Sequence, residues 1–412
     1  MTGSSGFISR RKLLRGGLEA ALLYGAVRSF PAQAADAVTL PFDNGERPLV
    51  RFPQKRPLIG LTTRPPQLET PFSVFNESVL TPNDAFFVRY HLTRSPALID
   101  PVTFNLEVKG KVNSPLMLTL GDLKRFEPVE VVAVNQCSGN SRGFSNPRVA
   151  GGQLGHGAMG NARWKGVPLK AILDKAGVQE GAKQVIFNGA DMPAAETTPD
   201  FIKALDIDHA RDGEVMVAYA MNNADLPILN GYPLRLVVPG YYGTYWVKHL
   251  NEITVIDTVY DGFWMKTAYK IPNNACACVA PGTKPASTVP INRINVRSFI
   301  TSHADGAKVS AGNLVTISGI AFDGGYGITE VIVSTDDGKT WRGADLAADL
   351  GKYSFRQWSA RVMLNKGSHA LAVRAINRIG QTQPVEALWN PAGYMRNSIE
   401  KIRVTASLEP RT

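Results

Sequence analysis

Alternating apolar and polar positions predict short strands along the first two thirds of the chain. Residues 102–112 (VTFNLEVKGKV) alternate throughout, residues 118–126 (LTLGDLKRF) read as a strand and then a short helix, and residues 129–137 (VEVVAVNQC) form a buried strand that ends at Cys137. Residues 167–178 (VPLKAILDKAGV) have the spacing of an amphipathic helix. Further strands are predicted within residues 183–191, 232–240 and 241–257. Strands and helices without a regular βαβ rhythm indicate an α+β domain, assigned to residues 35–280.

Two stretches of this domain lack a clear period. Residues 38–81 are rich in proline and predict an irregular, extended arm that wraps over the domain. Residues 138–166 are rich in glycine and predict a long loop. Because loops of this length inside a compact domain are usually functional, the segment after Cys137 is a candidate site.

The pattern changes after residues 281–290 (PGTKPASTVP), which predict a linker. Short alternating segments follow at residues 313–322, 328–341, 354–364 and 368–380, with Asp337-Gly338 as a hairpin signal. These segments predict an all-β sandwich of immunoglobulin-like type over residues 291–412. A chain of 412 residues is long enough for two such domains.

The first 34 residues resemble a twin-arginine export signal. Arg10-Arg11 precede a moderately apolar stretch at residues 18–27, and Ala32-Gln33-Ala34 offers a cleavage site. A cytosolic basic amphipathic helix is the alternative. We therefore expect export to the periplasm, and no apolar run suggests a membrane span.

The chain carries a formal net charge of +10. The first 34 residues contain five basic residues and one acidic residue, so the remaining residues carry a net charge of +6. No run of lysine and arginine indicates nucleic-acid binding. Three cysteines in an oxidising compartment cannot all pair within one chain. Cys276 and Cys278 are either a local disulfide or two free thiols. Cys137 is a small buried apolar side chain, a nucleophile or a thiolate ligand to a metal-bearing cofactor.

Four motifs along the chain distinguish among these interpretations of Cys137. They are FFVRYHL at residues 86–92, NQCSGNSRGF at 135–144, the segment 218–250 and TAYKIP at 267–272. Each resembles a segment of the sulfite oxidase and sulfite dehydrogenase family of molybdenum enzymes. The C-terminal VIVSTDDGKTW and WNPAGYMRN fit the immunoglobulin-like domain that follows in that family. The resemblance therefore covers nearly the whole mature chain.

The resemblance implies a molybdenum-molybdopterin cofactor with Cys137 as the single protein ligand to the metal. It also implies that Asn230 replaces a histidine of vertebrate members and changes a pterin hydrogen bond. Taken alone, Arg235 could be a surface arginine, His91 a core histidine and Lys248 a solvated charge. The residues carried over as contacts of the pterin or its phosphate are Phe87, Val88, Arg89, Tyr90, His91, Asp191, Asn230, Arg235, Trp246, Val247 and Lys248.

The implied reaction is the oxidation of sulfite to sulfate by oxo transfer. Arg89 and Arg142 are the candidates for binding the sulfite dianion, because a guanidinium pairs with an oxyanion through two hydrogen bonds. Tyr269 is the candidate for handling protons, and its alternative is an anchor for the loop before Pro272. A sulfoxide reductase and a non-catalytic exported binding protein are the competing functions; the second domain argues against the reductase.

The chain contains neither a Cys-x-x-Cys-His haem motif nor a cysteine set for an iron-sulfur cluster, which indicates a separate electron acceptor. The resemblance, which is strongest to bacterial periplasmic sulfite dehydrogenases, implies that this acceptor is an external c-type cytochrome. Trp264 is a candidate for the docking surface, or it packs beneath the domain junction. Both a homodimer through the C-terminal domain and a permanent haem subunit remain open.

Overall fold

The computed structural model describes residues 37–408. The predicted export signal, residues 1–34, lies outside the described residues. Within residues 37–408, no helix has the length and apolar character needed to cross a membrane.

The proline-rich segment near the N-terminus forms an antiparallel meander, so the prediction of an irregular arm was wrong. Its prolines sit where a sheet tolerates them: Pro66 begins a strand and Pro48 lies near the edge of the sheet. The meander runs in chain order through β1 (Ala37–Thr39), β2 (Glu46–Val50), β3 (Leu58–Thr63), β4 (Pro66–Glu69) and β5 (Val88–Arg89).

Two further sheets build the rest of the first domain. The first contains β6 (Asn105–Gly110), β7 (Leu116–Thr119), β10 (Gln184–Gly189), β11 (Lys203–Asp206) and β15 (Leu250–Ile256), in the order β11-β10-β15-β6-β7. The second contains β8 (Val129–Gln136), β9 (Met159–Pro168), β12 (Met216–Met221) and β13 (Ala224–Asp225), in the order β13-β12-β9-β8, and β14 (Arg235–Val237) pairs with β12.

Helices are few in this domain. The described α-helices are α1 (Leu120–Leu123), α2 (Leu169–Ala176), α3 (Ile207–Ala210) and α4 (Phe263–Lys266), and the short 3-10 helices are Phe72–Asn76, Arg142–Phe144, Ile228–Asn230 and Gly243–Tyr245. Only α2 exceeds four residues among the described α-helices, and it buries Leu169, Ile172 and Leu173 as its spacing predicted. The α+β prediction therefore overstated the helical share, because most of the predicted loops and turns contain strands instead.

Strand β9 corrects the prediction of a loop from 138 to 166. It pairs with β8 from Val129↔Gly166 to Gln136↔Met159 and with β12 on its other edge. Because both faces of β9 are largely covered, and Gly160 and Ala162 fit that space, no polar alternation marks it in the sequence. The loop that remains, residues 138–158, runs from Cys137 back to the start of β9.

The C-terminal domain is all β, with two sheets. One contains β18 (Arg297–Ile300), β20 (Leu314–Phe322), β23 (Asp345–Leu346) and β24 (Arg356–Met363), in the order β18-β20-β24-β23. The other contains β19 (Ala307–Ser310), β21 (Ile328–Ser334), β22 (Arg342–Gly343), β25 (Gly367–Asn377) and β26 (Lys401–Ser407), in the order β19-β26-β25-β21-β22. Asp337 and Gly338 both have positive φ in the β21–β22 turn, as the hairpin signal predicted.

The two domains are joined by strands and by a shared core. Strand β16 (Lys270–Pro272) pairs with β17 (Thr288–Pro290), so part of the predicted linker is a strand. The largest apolar cluster contains the first-domain residues around β8 and β9 and continues into the second domain through Phe299, Phe322 and Phe355. This continuity fixes the C-terminal domain against the loop that follows Cys137.

Candidate active site

A cavity opens at the ends of β5 and β8 and at the start of β14. Its wall combines a thiol, several cations and several polar side chains. The lining residues are Phe87, Arg89, His91, Asn135, Cys137, Ser138, Asp191, Phe201, Leu229, Asn230, Arg235, Gly243, Thr244, Trp246, Lys248 and Tyr269. Ten of the residues that the sequence predicted for the site are in this set.

Cys137 is the free cysteine of the described residues, and it is buried directly after β8. Its backbone N–H donates to the carbonyl of Ala158 at 2.9 Å, which ties it to the start of β9. Cys276 and Cys278 form a disulfide, which resolves the two alternatives left by the sequence. The thiol of Cys137 is thus presented on a rigid strand end, as a metal ligand requires.

Unpartnered polar atoms line the cavity around this thiol. Both side-chain polar atoms of Asn135, the hydroxyls of Ser138 and Thr244, and Nε of Arg235 are buried without a hydrogen-bond partner within residues 37–408. Buried polar groups are almost always satisfied, so these atoms indicate a wall built for a polar ligand. Asn135, Ser138 and Thr244 were not predicted, although each lies inside a quoted motif.

Arg235 is a buried cation on this wall. It forms no ion pair with any described residue, and its Nη1 donates to the carbonyl of Asn230 at 2.9 Å. Burial lowers the pKa of Arg235 to about 9. The rings of Trp164 and Trp246 lie 5.5 and 5.8 Å from its guanidinium carbon. A buried, unpaired guanidinium of this kind suits an anionic ligand such as a phosphate.

The side chain of Asn230 is already used within the protein. Its Oδ1 accepts from the ammonium of Lys55, and its Nδ2 donates to the carbonyl of Phe87 at 3.0 Å. Burial lowers the pKa of Lys55 to about 7. Asn230 therefore braces the strand that carries Phe87 and Arg89, and Lys55 is a supporting residue that the sequence did not reveal.

Lys248 is held by a second group of buried polar residues. Its Nζ donates to the carbonyl of Arg89 at 2.6 Å and lies 3.9 Å from the ring centre of Tyr90. Nδ1 of His249 donates to the carbonyl of Tyr232 at 2.6 Å, so its Nε2 accepts from the Tyr90 hydroxyl at 2.7 Å. Burial, with Arg235 nearby, lowers the pKa of Lys248 to about 7.

Three predicted contact residues do not line the cavity. Val88 packs in an apolar cluster with Leu58 and Leu68, and Val247 lies in the main core. Tyr90 supports Lys248 from behind instead of facing the cavity. Val88 and Tyr90 alternate with Phe87, Arg89 and His91, and successive side chains of extended backbone point to opposite faces; Val247 likewise lies between Trp246 and Lys248. Asp191, the least securely aligned residue, does line the cavity, and burial raises its pKa.

Tyr269 and His91 form a hydrogen-bonded pair at the cavity wall, between the phenol oxygen and Nε2. Burial, together with the cations Arg89, Lys248 and Lys203, holds the pKa of His91 well below its usual range, so the imidazole is neutral. The ring of Phe201 stacks on His91 at 3.7 Å. Tyr269 has a φ of +56°, a left-handed conformation that is strained for tyrosine and is typical of functional positions.

Arg142 stands one aromatic ring away from the cavity, not on its wall. Its Nε donates to the carbonyl of Ala392 at 2.9 Å, and its guanidinium carbon lies 4.9 Å from the ring centre of Tyr394. The Tyr394 ring in turn stacks on Tyr269 at 5.2 Å. A Cβ at Gly139 would lie 2.7 Å from the guanidinium carbon, so a larger residue there would displace the Arg142 guanidinium. The sequence could not anticipate Tyr394, which comes from the second domain.

Trp264 belongs to the aromatic wall beside this pair. Its ring contacts His91 edge to face at 5.1 Å, and its carbonyl accepts from Nζ of Lys203 at 2.7 Å. Lys203 is fully buried beneath the rings of Tyr245 and Tyr269, and burial lowers its pKa to about 7. The contacts of Trp264 therefore fall on the wall of the cavity.

Comparison with known proteins identifies both parts of the chain. A family model described as "Oxidoreductase molybdopterin binding domain" matches residues 92–264, and one described as "Mo-co oxidoreductase dimerisation domain" matches residues 288–407. The mitochondrial sulfite oxidase of Drosophila melanogaster is 32% identical, over 87% of this chain and 65% of its own length. The sulfite oxidase of Gallus gallus is 32% identical, over 85% of this chain and 79% of its own length.

A solved structure shows the same fold over nearly the whole chain. The sulfane dehydrogenase SoxCD from Paracoccus pantotrophus superimposes with a TM-score of 0.69 over 91% of each chain, at 24% identity. The chain spans about two thirds of the length of the fly relative, 65%.

The two family models, together with these relatives, define the class of the protein, an oxidoreductase that binds molybdopterin. The chain belongs to the sulfite oxidase family. Its cofactor is molybdenum-molybdopterin. The free thiol of Cys137, the unpaired guanidinium of Arg235 and the unpartnered polar atoms on the wall fit such a group, which offers a metal, an anionic phosphate and many hydrogen-bonding atoms.

Proposed function

We propose that the protein oxidises sulfite to sulfate in the periplasm and passes the electrons one at a time to an external c-type cytochrome. The observation that carries the proposal is the convergence of a free thiol, a guanidinium and a phenol on one cavity, through Cys137, Arg89 and Tyr269. The relatives described as sulfite oxidases support the choice of substrate. The twin-arginine motif supports the choice of compartment.

The residues of the wall divide by chemistry into two groups. Cys137 would supply a soft sulfur ligand for molybdenum, and Arg235 and Lys248 would neutralise the phosphate of the pterin. Asn135, Ser138 and Thr244 offer hydrogen bonds to the ring system. When bound, the molybdenum cofactor supplies oxo transfer to sulfite and takes up two electrons.

Substrate binding falls to the side of the cavity that carries Arg89 and Tyr269. The guanidinium of Arg89 attracts the sulfite dianion into a partly buried site where its charge is weakly screened. Tyr269 and the neutral His91 share a proton at the phenol oxygen, which can orient an oxyanion or an incoming water. Each turnover consumes sulfite and one water and releases sulfate, two protons and two electrons, so a residue that passes protons is needed.

The partners proposed are a c-type cytochrome and a second copy of the chain. The match of residues 288–407 to a dimerisation domain supports the homodimer. The proposal of a cytochrome partner rests on the sequence, which carries no haem-binding motif of its own. Trp264 is the residue that we propose for the surface on which the cytochrome docks.

The test measures molybdenum content and sulfite oxidation in the purified mature protein. We expect about one molybdenum per chain, and sulfite-dependent reduction of cytochrome c or ferricyanide without reduction of methionine sulfoxide. Cys137→Ser is expected to lower turnover by about 100-fold or more with unchanged circular dichroism, because a hydroxyl is a poor substitute for a thiolate ligand. The double variant Cys276→Ser and Cys278→Ser is the control and keeps its activity. Folded, molybdenum-free protein from molybdenum-replete cells would refute the proposal.

A further inference from the structure

A segment of the C-terminal domain returns onto the loop that follows Cys137. We call residues 389–397 (WNPAGYMRN) the return segment. Its backbone N–H at Met395 donates to the carbonyl of Ser138 at 3.1 Å, and Nη1 of Arg396 donates to the carbonyl of Phe144 at 3.3 Å. Nε1 of Trp389 donates to the carbonyl of Pro147 at 2.8 Å. The second domain therefore contacts the loop near the thiol of Cys137 and at two points farther along the chain.

The return segment is a rigid turn that aims one tyrosine at the active site. The side chain of Asn390 accepts from the backbone N–H of Tyr394 at 3.1 Å and donates to its carbonyl at 2.8 Å. A second amide, on Asn295, donates to the carbonyl of Met395 at 3.0 Å. Such closed side-chain to backbone bonding fixes a turn without regular secondary structure.

Tyr394 lies between Tyr269 and Arg142, two of the three residues that the sequence assigned to the substrate. Its ring stacks on Tyr269 with centres 5.2 Å apart and planes 14° apart. The guanidinium carbon of Arg142 lies 4.9 Å from the same ring centre. Arg142 forms no ion pair within residues 37–408, and its hydrogen bonds go to the carbonyls of Ala392 and Gly152. Its charge is therefore available to an anion, and the ring of Tyr394 sets its position.

We propose that Tyr394 is a positioning residue for oxyanion recognition, by which the C-terminal domain completes the substrate site. Its ring fixes the phenol of Tyr269 at the cavity wall by stacking, and it holds the guanidinium of Arg142 one ring behind that wall by a cation–π contact, where the positive charge still attracts an anion in the cavity. The inference rests on the proposed function and adds the second domain to it. Because the contacts are made by the ring, phenylalanine should replace tyrosine, and an aliphatic side chain should not.

The test compares three variants of the molybdenum-loaded protein in steady-state sulfite oxidation. We expect Tyr394→Met, which fills the space without a ring, to raise the KM for sulfite and the inhibition constant of sulfate about tenfold, the usual effect of losing one such contact. The kcat should change by less than about threefold, since binding is lost and not chemistry. Tyr394→Phe should restore both constants, and Tyr326→Met, at an exposed tyrosine of the same domain, is the matched control.

A second measurement separates this inference from the proposed function. Sulfate binding to the purified protein is measured by calorimetry, which needs no turnover. Weakened binding in Tyr394→Met but not Tyr394→Phe supports the inference even if sulfite is not oxidised. Wild-type KM and wild-type sulfate affinity in Tyr394→Met would overturn it while leaving sulfite oxidation intact. Should Tyr394→Met not fold, Tyr394→Leu takes its place with the same expectations.

Discussion

At the scale of single residues, Arg235 shows how the protein retains a costly charge for a ligand. A guanidinium without a carboxylate partner destabilises the interior, and burial lowers its pKa to about 9. We predict that Arg235→Met raises the unfolding free energy of cofactor-free protein by about 1–3 kcal/mol. The same change should lower cofactor content at least about tenfold, because the phosphate loses its charged partner. Urea unfolding and the fluorescence of released pterin measure the two effects.

The control for this prediction is Arg163→Met. Arg163 is partly exposed and lies 3.7 Å from Glu130, so its loss should change neither quantity appreciably. A destabilised cofactor-free Arg235→Met protein would mean that the guanidinium is a structural element and not part of a phosphate site.

Glu69 is a second buried ionisable residue, and it does not line the cavity. Its carboxylate accepts from the backbone N–H groups of Gly155 and Gly157 at 3.0 and 3.2 Å. Burial raises its pKa from 4.5 to about 7, so the folded state favours the protonated form more than the unfolded state does. The contribution of Glu69 to stability is therefore complete below pH 4.5 and is lost as the pH rises through 7.

We predict that Glu69→Gln flattens this part of the pH profile. Between pH 5 and 8, the wild-type protein should lose up to about 3 kcal/mol more unfolding free energy than the variant, since one pKa unit corresponds to about 1.4 kcal/mol. Urea unfolding at four pH values measures the difference. Glu386→Gln, at an exposed position, is the control and should follow the wild type. Parallel profiles for Glu69→Gln and the wild type would contradict the assignment.

At the scale of elements, the cavity depends on how closely the turn at Gly243 approaches the end of β8. A Cβ at Gly243 would lie 2.2 Å from Oδ1 of Asn135, so any side chain there displaces the amide from the wall. We predict that Gly243→Ala costs about 1–3 kcal/mol of unfolding free energy and lowers cofactor content. Thermal unfolding and molybdenum analysis test both. Gly343→Ala, where a Cβ meets nothing within 4 Å, should leave both unchanged.

The elements found from the sequence were those whose pattern reflects one buried face. Strand β8, helix α2 and the Asp337-Gly338 turn were predicted because alternation, helical spacing and turn residues act locally. Strand β9 was missed because both its faces are covered, and the N-terminal meander was missed because its prolines resemble loop residues. Both strand β9 and the meander depend on pairing between strands that are distant in the sequence, and a short stretch of sequence does not contain that information.

The same limit applies to the site. Motif resemblance predicted that Cys137, Arg89 and Tyr269 belong to one site, and all three line the cavity. Asn135 and Ser138 sat beside the predicted ligand and could have been named from that position. Lys203 left a weaker signal, a lysine among apolar residues of a short strand. Tyr394 lies in the quoted segment WNPAGYMRN, but that segment does not reveal the contact with Tyr269, which depends on how the second domain is placed.

At the scale of the whole molecule, one buried ion network joins the two domains beside the active-site loop. Arg297 is fully buried; its Nη1 donates to Oγ of Ser141 at 3.1 Å, and its Nη2 contacts Oε1 of Glu400 at 3.0 Å. Ser141, with a φ of +71°, belongs to the loop after Cys137, and its hydroxyl also bonds Nδ1 of His156 at 2.7 Å. Loss of Arg297 would therefore affect both the domain junction and the loop that positions the thiol.

We predict that Arg297→Met lowers the unfolding free energy by about 3–5 kcal/mol, because it leaves Glu400 buried with one cation fewer and removes the guanidinium donor to Ser141. Scanning calorimetry should then separate the unfolding of the C-terminal domain from that of the first domain, and molybdenum content should fall, since the loop at Ser141 loses its anchor. Lys401→Met removes the exposed pair with Asp337 and should cost less than about 1 kcal/mol. If Arg297→Met unfolds in one transition at the wild-type temperature, the shared apolar core alone couples the domains, and the return segment would need no ionic support to hold Tyr394 against the active site.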